Sequence, residues 1–408
     1  MKAILRLAAA ALLVALLGWV GWTTIQATRV DELAKTDPEA ALRLDPDHPQ
    51  ALLRMAWRQL GNQQPDAAIA TARHLLAVEP GQGDAFAVLA LAAARRGDGN
   101  AGKLAAIALQ RAPRNRNLRT QQAAAALKAG DLPVALVQID ALLRLSPSRG
   151  TVLFPAMAEQ SADPAFADAL AATLATSPPW RPQFLAALGS EGSPLAVDHV
   201  YARLQRRGEL STAETGGWLD RMIADGRWGE AYAHWVGTLG PVDGGLAPVR
   251  NGGFESDPSG IGFDWRNDQI AGVFTDLEAG AGTTGTRAAH LHFISRPAAR
   301  GNLRQALLLA PGRFRLSLRA RAEFLHSDQG LQWIVGCDKG PTVAILGPLE
   351  GSFGWRQWDV EFEIPAEKCP GQWLKLVNPA VSGSAQQVSG DLWIDDVAIT
   401  PLKATSQP

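Results

Sequence analysis

LRLDP (42–46), LAVEP (76–80), LQRAP (109–113) and LRLSP (143–147) repeat one phrase, an apolar helical run that stops at a proline. Pro46, Pro80, Pro113 and Pro147 are 34, 33 and 34 residues apart, the period of a supersecondary unit stacked on copies of itself. Proline ends each run because it lacks an amide N–H and its ring clashes with the preceding turn. Gly97-Asp98 and Gly130-Asp131, 33 residues apart, read as the tight turn inside the unit, and Ala68, Ala101 and Ala135 recur at the same spacing. The pattern predicts pairs of antiparallel helices. Small residues at these places let the helix axes approach, and no single pair can bury its own apolar face.

From Asp31 to about Pro147 the chain resembles the tetratricopeptide repeat family, as a half repeat to Pro46 followed by three full ones. The resemblance rests on Ala56, Ala90 and Ala123 at the close-packing place of the first helix, and on Ala108-Leu109 before the closing proline. It implies an α-solenoid over 29–147 whose surface binds partner proteins. The sequence departs from the family where aromatics are usual: Leu52, Phe86 and Arg119 stand at one such place, Gln59, Ala93 and Ala126 at the other. Analogy therefore assigns the groove no ligand. Residues 148–245 stay helical without the period, although Thr212–Ala224, a turn at 225–228 and Glu230–Leu239 read as one more degenerate pair. Arg111, Arg114, Arg116 and Arg119 cluster at a repeat junction, where they could grip phosphate or a partner's carboxylates or form a solvated rim. His48, His74, His199 and His234 show no metal-ligand spacing.

Lys2 and Arg6 precede a stretch free of charge from Leu7 to Thr28, with Trp19 and Trp22 where an interfacial belt would sit. Residues 1–28 are expected to be a transmembrane signal-anchor helix; a cleaved signal peptide is the alternative, but Ile25-Gln26-Ala27 makes a poor cleavage site. The positive-inside rule then predicts a single-pass protein of a bacterial inner membrane with its bulk in the periplasm. Arg 31 against Lys 8, with abundant alanine, suggests a GC-rich bacterial genome.

Composition sets bounds on function. The 408 residues are 47% hydrophobic, enough for two or three domains with real cores. A net charge of −1 provides no bulk field for polyanions, so nucleic acid is excluded as a general partner. Two cysteines build neither a thiolate zinc site nor a disulfide-dense scaffold. For a chain outside the cytoplasm, Cys337 and Cys369, 32 residues apart, are expected to form a disulfide.

Beyond the turn-rich joint Leu239–Leu246, the text changes to apolar and polar residues in alternation. Leu316, Leu318, Ala320 and Ala322 alternate with Ser317, Arg319, Arg321 and Glu323; Trp358, Val360, Phe362 and Ile364 alternate with Asp359, Glu361 and Glu363. Further strands read at Ala288–Ile294, Gln332–Gly336, Leu374–Val377 and Leu392–Thr400. Many short strands without an amphipathic helix predict a β-sandwich over 246–402, followed by a tail at 403–408. Asn251-Gly252-Gly253-Phe254-Glu255, Phe263-Asp264-Trp265, Leu309–Phe314 and Asp391–Val397 together resemble the jelly-roll carbohydrate-binding modules appended to bacterial glycoside hydrolases. That resemblance implies a structural calcium at Glu255 with Asp395 or Asp396. Alternation favours Asp396, which would share the side of Leu392 and Ile394. No other cofactor is implied.

Polysaccharide binding would need aromatic platforms and planar polar groups. Trp265, Trp333, Trp355, Trp373 and Trp393 are candidate platforms, and the ligand face is expected to comprise Arg319, Arg321, Trp333, Lys375 and Asn378. No nucleophile elbow, phosphate loop or HExxH motif is present, and His290-Leu291-His292 lacks a third ligand in sequence. The reading is a multidomain protein, α then all-β and not an enzyme, that serves as scaffold or accessory in making or exporting a cell-envelope polysaccharide. The alternative is a protein-only scaffold for a secretion, pilus or envelope-assembly machine.

Overall fold

The computed structural model describes residues 2–240, 246–381 and 383–402, and for residues 2–12, 14 and 384 the backbone alone. The joint at 241–245 and the tail at 403–408 lie outside the described residues. The chain divides into two compact units, Met1–Ala187 and Leu188–Pro408.

In the first unit α1 covers Lys2–Thr36, α2 Pro38–Leu44, α3 Pro49–Gly61, α4 Pro65–Val78, α5 Gly83–Arg95, α6 Ala101–Arg111, α7 Arg116–Ala129 and α8 Leu132–Leu145. Helices α9 Gly150–Gln160 and α10 Pro164–Ala175 follow, and the division falls within α11, Arg181–Glu191. Helices α2, α4, α6 and α8 each stop two residues before the repeated proline. The proline ring disfavours helical backbone in the residue before it, so the stop is local chemistry. Gly97 and Gly130 turn the chain in the left-handed region, at φ 73° and 75°. Ala56, Ala90 and Ala123 are buried as expected, and so are Ala68 and Ala135. Ala101 is only half-buried, because the turn at 96–100 is longer than those at 62–64 and 130–131, so that α6 starts late and Ala101 is its first residue where Ala68 and Ala135 are the fourth of α4 and α8.

The expected transmembrane helix, and with it a single-pass inner-membrane location with the bulk in the periplasm, is overturned: among the described residues no helix is long and apolar enough to cross a membrane. In α1 the apolar side chains from Leu13 give way after Trp22 to Thr23, Thr24, Gln26 and Thr28, and charge follows at Arg29, Asp31 and Glu32. The part of that expectation resting on Lys2, Arg6 and the side chains to Leu12 lies outside those described.

The second unit carries α12 Pro194–Arg206, α13 Thr212–Ala224 and α14 Trp228–Val236, then β1 Trp265–Asn267, β2 Val273–Ala279, β3 Arg287–Pro297, β4 Arg300–Leu307 and β5 Gly312–His326. It closes with β6 Leu331–Cys337, β7 Thr342–Leu349, β8 Gly351–Ile364, β9 Gln372–Val377 and β10 Gln387–Pro401. Two antiparallel five-stranded sheets, ordered β1-β4-β9-β6-β7 and β2-β3-β10-β5-β8, face each other over one core that includes Phe254, Trp265, Leu291, Phe293, Leu316, Trp333, Leu374 and Leu392. Alternation located β5 and β8 because one face of each turns to the core, fully buried along most of β5 and half-buried along most of β8, while the other is more exposed. It missed β4, in which nearly every residue is buried and no period of two survives.

The α13–α14 pair packs in the same unit as the sandwich. Trp228 meets Trp373 edge-on at 5.7 Å between centroids, Tyr232 and Trp235 pack on Phe263 at 5.0 and 5.6 Å, and Arg266 pairs with Asp220 at 2.6 Å. Cys337, at the end of β6, is bridged to Cys369 ahead of β9 with a Cα–Cα distance of 4.9 Å.

Candidate ligand-binding surfaces

The expected ligand face does not assemble as one surface. Arg319 and Arg321 lie on β5, in one sheet; Trp333 and Lys375 lie on β6 and β9, in the other. Trp333 is 0% exposed and packs edge-on against Trp265 at 5.9 Å, so it is core. Asn378 is buried, donating from Nδ2 to Gln386 O at 3.1 Å and accepting from Ala380 N at 3.1 Å, so it shapes a loop. The other tryptophans differ in their surroundings. Trp373 lies under Trp228, with the Arg304 guanidinium 4.7 Å from its ring centre, and Trp355 is half-buried on β8.

Trp393 is covered by its neighbours and is 7% exposed. His290 stacks on its ring at 4.5 Å and 7°, the Arg321 guanidinium lies 4.5 Å over the ring, and Nε1 donates to Glu278 Oε2 at 2.6 Å. Strand register produces this arrangement, since Trp393 is paired with His290 on β3 and with Arg321 on β5. Around it, His290 Nε2 and His292 Nδ1 both reach Asp391 Oδ1, at 2.7 and 2.8 Å, and His290 Nδ1 faces Asp276 Oδ1 at 3.2 Å. Burial pushes the Asp391 carboxyl up, but the hydrogen bonds from His292 and His290 outweigh it and hold the group below the usual carboxylate range. Arg321 is also paired with Glu323, whereas the buried Nε of Arg319 has no hydrogen-bond partner among the described residues.

Sequence reasoning missed two exposed aromatics on this sheet. Phe274 on β2 is 59% exposed and Phe324 on β5 is 83% exposed. In register, Phe274 stands opposite His292, His292 opposite Asp391, and Asp391 opposite Glu323, the neighbour of Phe324. Three strand spacings, about 14 Å, separate the strands that bear the two rings. Phe324 is turned outward at a β-bulge with φ 49°, and its amide donates to Ser352 Oγ at 2.8 Å. The available signal was the pair Phe324-Leu325, two consecutive apolar residues ending an alternating strand.

Glu255 and Asp396, the expected calcium ligands, are engaged by protein donors. Glu255 Oε1 accepts from the amides of Thr286 and Arg287 at 2.8 and 3.0 Å, and Oε2 accepts from Thr286 Oγ1 at 2.9 Å. These contacts, the Arg287 amide foremost, hold its carboxyl below the usual range. Asp396 accepts from the hydroxyls of Thr283 and Thr284. Alternation fails here because Asp396 has φ 52° at a register shift, leaving Asp395 as the buried carboxylate, bonded to the Thr283 amide at 2.6 Å. N–H groups aimed at carboxylates oppose a cation, and among the described residues no group of three or more His, Cys, Asp and Glu could hold a metal ion. The donor set does not fit a calcium cage.

In the repeats the arginine cluster divides. Arg111, Arg114 and Arg116 line a cavity of about 550 Å³ with Trp57, Gln82, Asp84, Asn115 and Asn117. Arg119 turns away, donating to Gln138 Oε1 at 2.8 Å and Pro113 O at 2.7 Å. A second cavity of about 420 Å³ shares Trp57 and Asn117 and adds Arg95, Gln121 and Arg149.

No family model matches the chain, and no curated protein matches it. Similar solved structures include both carbohydrate-binding modules and tetratricopeptide repeat proteins. A family-4 carbohydrate-binding module shares 12% identity over 38% of this chain and 99% of its own, with a TM-score of 0.28. A tandem pair of family-22 modules from the Paenibacillus barcinonensis protein Xyn10C shares 16% identity with a TM-score of 0.27; the match covers 41% of this chain and about half, 53%, of the tandem. The tetratricopeptide repeat protein YrrB, described as having an unusual peptide-binding site, shares 14% identity over 46% of this chain and 91% of its own, with a TM-score of 0.30.

Proposed function

We propose that this chain is a non-catalytic binding protein whose repeats hold partner proteins and whose sandwich binds a glycan, in the making or export of a polysaccharide. The observation that carries the glycan part is the row Phe274, His292, Asp391, Glu323, Phe324 across β2, β3, β10 and β5. Its two ends are exposed aromatic rings, whose faces suit the C–H face of a sugar; its middle supplies carboxylate acceptors and an imidazole for hydroxyls. Trp265, Trp333, Trp373 and Trp393 play no part in it, being core or covered by neighbouring side chains.

A glycan array on the full chain, followed by calorimetry on the best ligand, tests this. Saturable binding is expected, weakened at least about tenfold by Phe274→Ala and by Phe324→Ala, a loss of about 1.4 kcal/mol each, with unchanged thermal melting. Absence of saturable binding by folded protein, or binding indifferent to both substitutions, sinks the proposal.

A further inference from the structure

The groove formed by the two cavities that meet at Trp57 and Asn117 has a charge its surroundings do not neutralise. Five arginines line it, Arg111, Arg114, Arg116, Arg95 and Arg149, and among the described residues none makes an ion pair. Four of them rest on neutral groups. Arg95 donates to Leu60 O, Arg116 to Ser146 Oγ at 3.3 Å and Arg149 to Thr120 Oγ1 at 3.5 Å. Arg111 reaches Pro80 O at 3.5 Å and lies 5.1 Å over the Phe86 ring. The lining contains one acid, Asp84, already accepting from Asn115 Nδ2 at 2.7 Å. Elsewhere in the same unit Arg96 finds Asp66 at 2.8 Å and Arg144 finds Asp140 at 2.9 Å, while Arg43, Arg54 and Arg73 stand apart from one another without an ion pair among the described residues. What sets the groove apart is that five such arginines converge on one lining with a single acid.

We infer that this groove docks an acidic peptide segment of a partner protein, its carboxylates on the arginines and an apolar side chain on Trp57. The inference rests on the reading that the repeats hold partner proteins and names the chemistry of that partner. Guanidinium forks match carboxylates in two-pronged geometry. The lining favours a peptide backbone over a phosphodiester one, because Gln82, Asn117 and Gln121 bring amides that both donate and accept. A peptide backbone answers both halves of an amide, whereas a phosphodiester backbone offers acceptors alone. Trp57, common to both cavities, gives one apolar contact between two basic ones, so the fitting segment carries acidic residues on either side of a leucine or an aromatic.

The test uses the full chain and fluorescence anisotropy at 0.15 M ionic strength. Its ligands are a labelled dodecapeptide of Glu and Asp around a central Leu, the same peptide with Gln and Asn, and a labelled oligonucleotide of equal charge. The acidic peptide is expected to bind, the amide peptide at least tenfold more weakly, with affinity falling as salt rises. Arg114→Glu/Arg116→Glu and, separately, Arg149→Glu are expected to lower affinity at least tenfold with unchanged circular dichroism. Arg73→Glu, an exposed reversal outside the groove, leaves it as it was. Equal binding of the acidic and amide peptides, lost in Trp57→Ala, overturns the acidic specificity and leaves the repeats as a peptide surface. Binding of no peptide overturns both statements, and tighter binding of the oligonucleotide overturns the choice of partner.

Discussion

Gly252 shows how much a single atom decides in the sandwich. The segment Asn251–Glu255 runs against Asp395–Val397, with Val397 N donating to Gly252 O at 2.9 Å. A Cβ on Gly252 would fall on the carbonyl of Val397, backbone that cannot swing aside. Next to it Trp265 donates from Nε1 to Asn251 O at 3.1 Å, and Asn251 brackets its own turn through Ser256 at 2.6 and 3.2 Å. The two ends of the domain are therefore joined by direct backbone contact and hydrogen bonds. Gly252→Ala is expected to lower stability by about 2 to 4 kcal/mol, read as a lower urea midpoint at unchanged m-value. A midpoint equal to that of the parent would show that the ends can separate at no cost.

At the scale of elements, β5 and β10 place the candidate glycan face, and irregularities in them determine which side chains are available. Phe324 leaves the alternation at a bulge, and Gly390 on β10, at φ 95°, makes room for it because a side chain there would meet the Phe324 backbone. Sheet order brings β3 and β5 to either side of β10, so that His290 and Arg321 close over Trp393. In the other sheet the Cys337–Cys369 bridge joins the end of β6 to the approach to β9, strands already paired through Val335↔Leu374 and Cys337↔Gln372. Closing the loop between them restricts the unfolded chain by roughly 3 to 4 kcal/mol in the chain-entropy model. Cys337→Ser/Cys369→Ser is expected to lose about that much in chemical denaturation, and the parent in reductant to lose the same. Equal stability with and without the bridge would place its role elsewhere.

In the second unit as a whole, α13 and α14 belong with the sandwich. Trp228 and Trp235 are 1% and 2% exposed, and Gly371 and Gly262 lie where any side chain would strike their rings. Trp228 Nε1 donates to Asp338 Oδ2 at 3.4 Å and Lys339 Nζ to Ala224 O at 3.1 Å, close to the bridge. A fragment of residues 246–402 would expose Trp373 and Phe263, so it is expected to be less stable than a fragment of 193–402 by about 3 kcal/mol or more, on the scale of deleting a buried tryptophan. Identical melting of the two fragments would make the helices dispensable. What the sequence determined by itself was local: helix ends at repeated prolines, left-handed turns at Gly97 and Gly130, half-buried strands from alternation, and the order of helical then sheet architecture. These follow from dihedral preference and burial period, which neighbouring residues set on their own. Tertiary structure alone decided which polar groups share a face. His290 meets Asp391 across 101 residues and Trp393 meets Glu278 across 115, through strand pairings that no local pattern encodes. It likewise decided that Trp333 is core, that Phe324 is exposed and that three of the four clustered arginines face a groove, because burial depends on what packs from a distance.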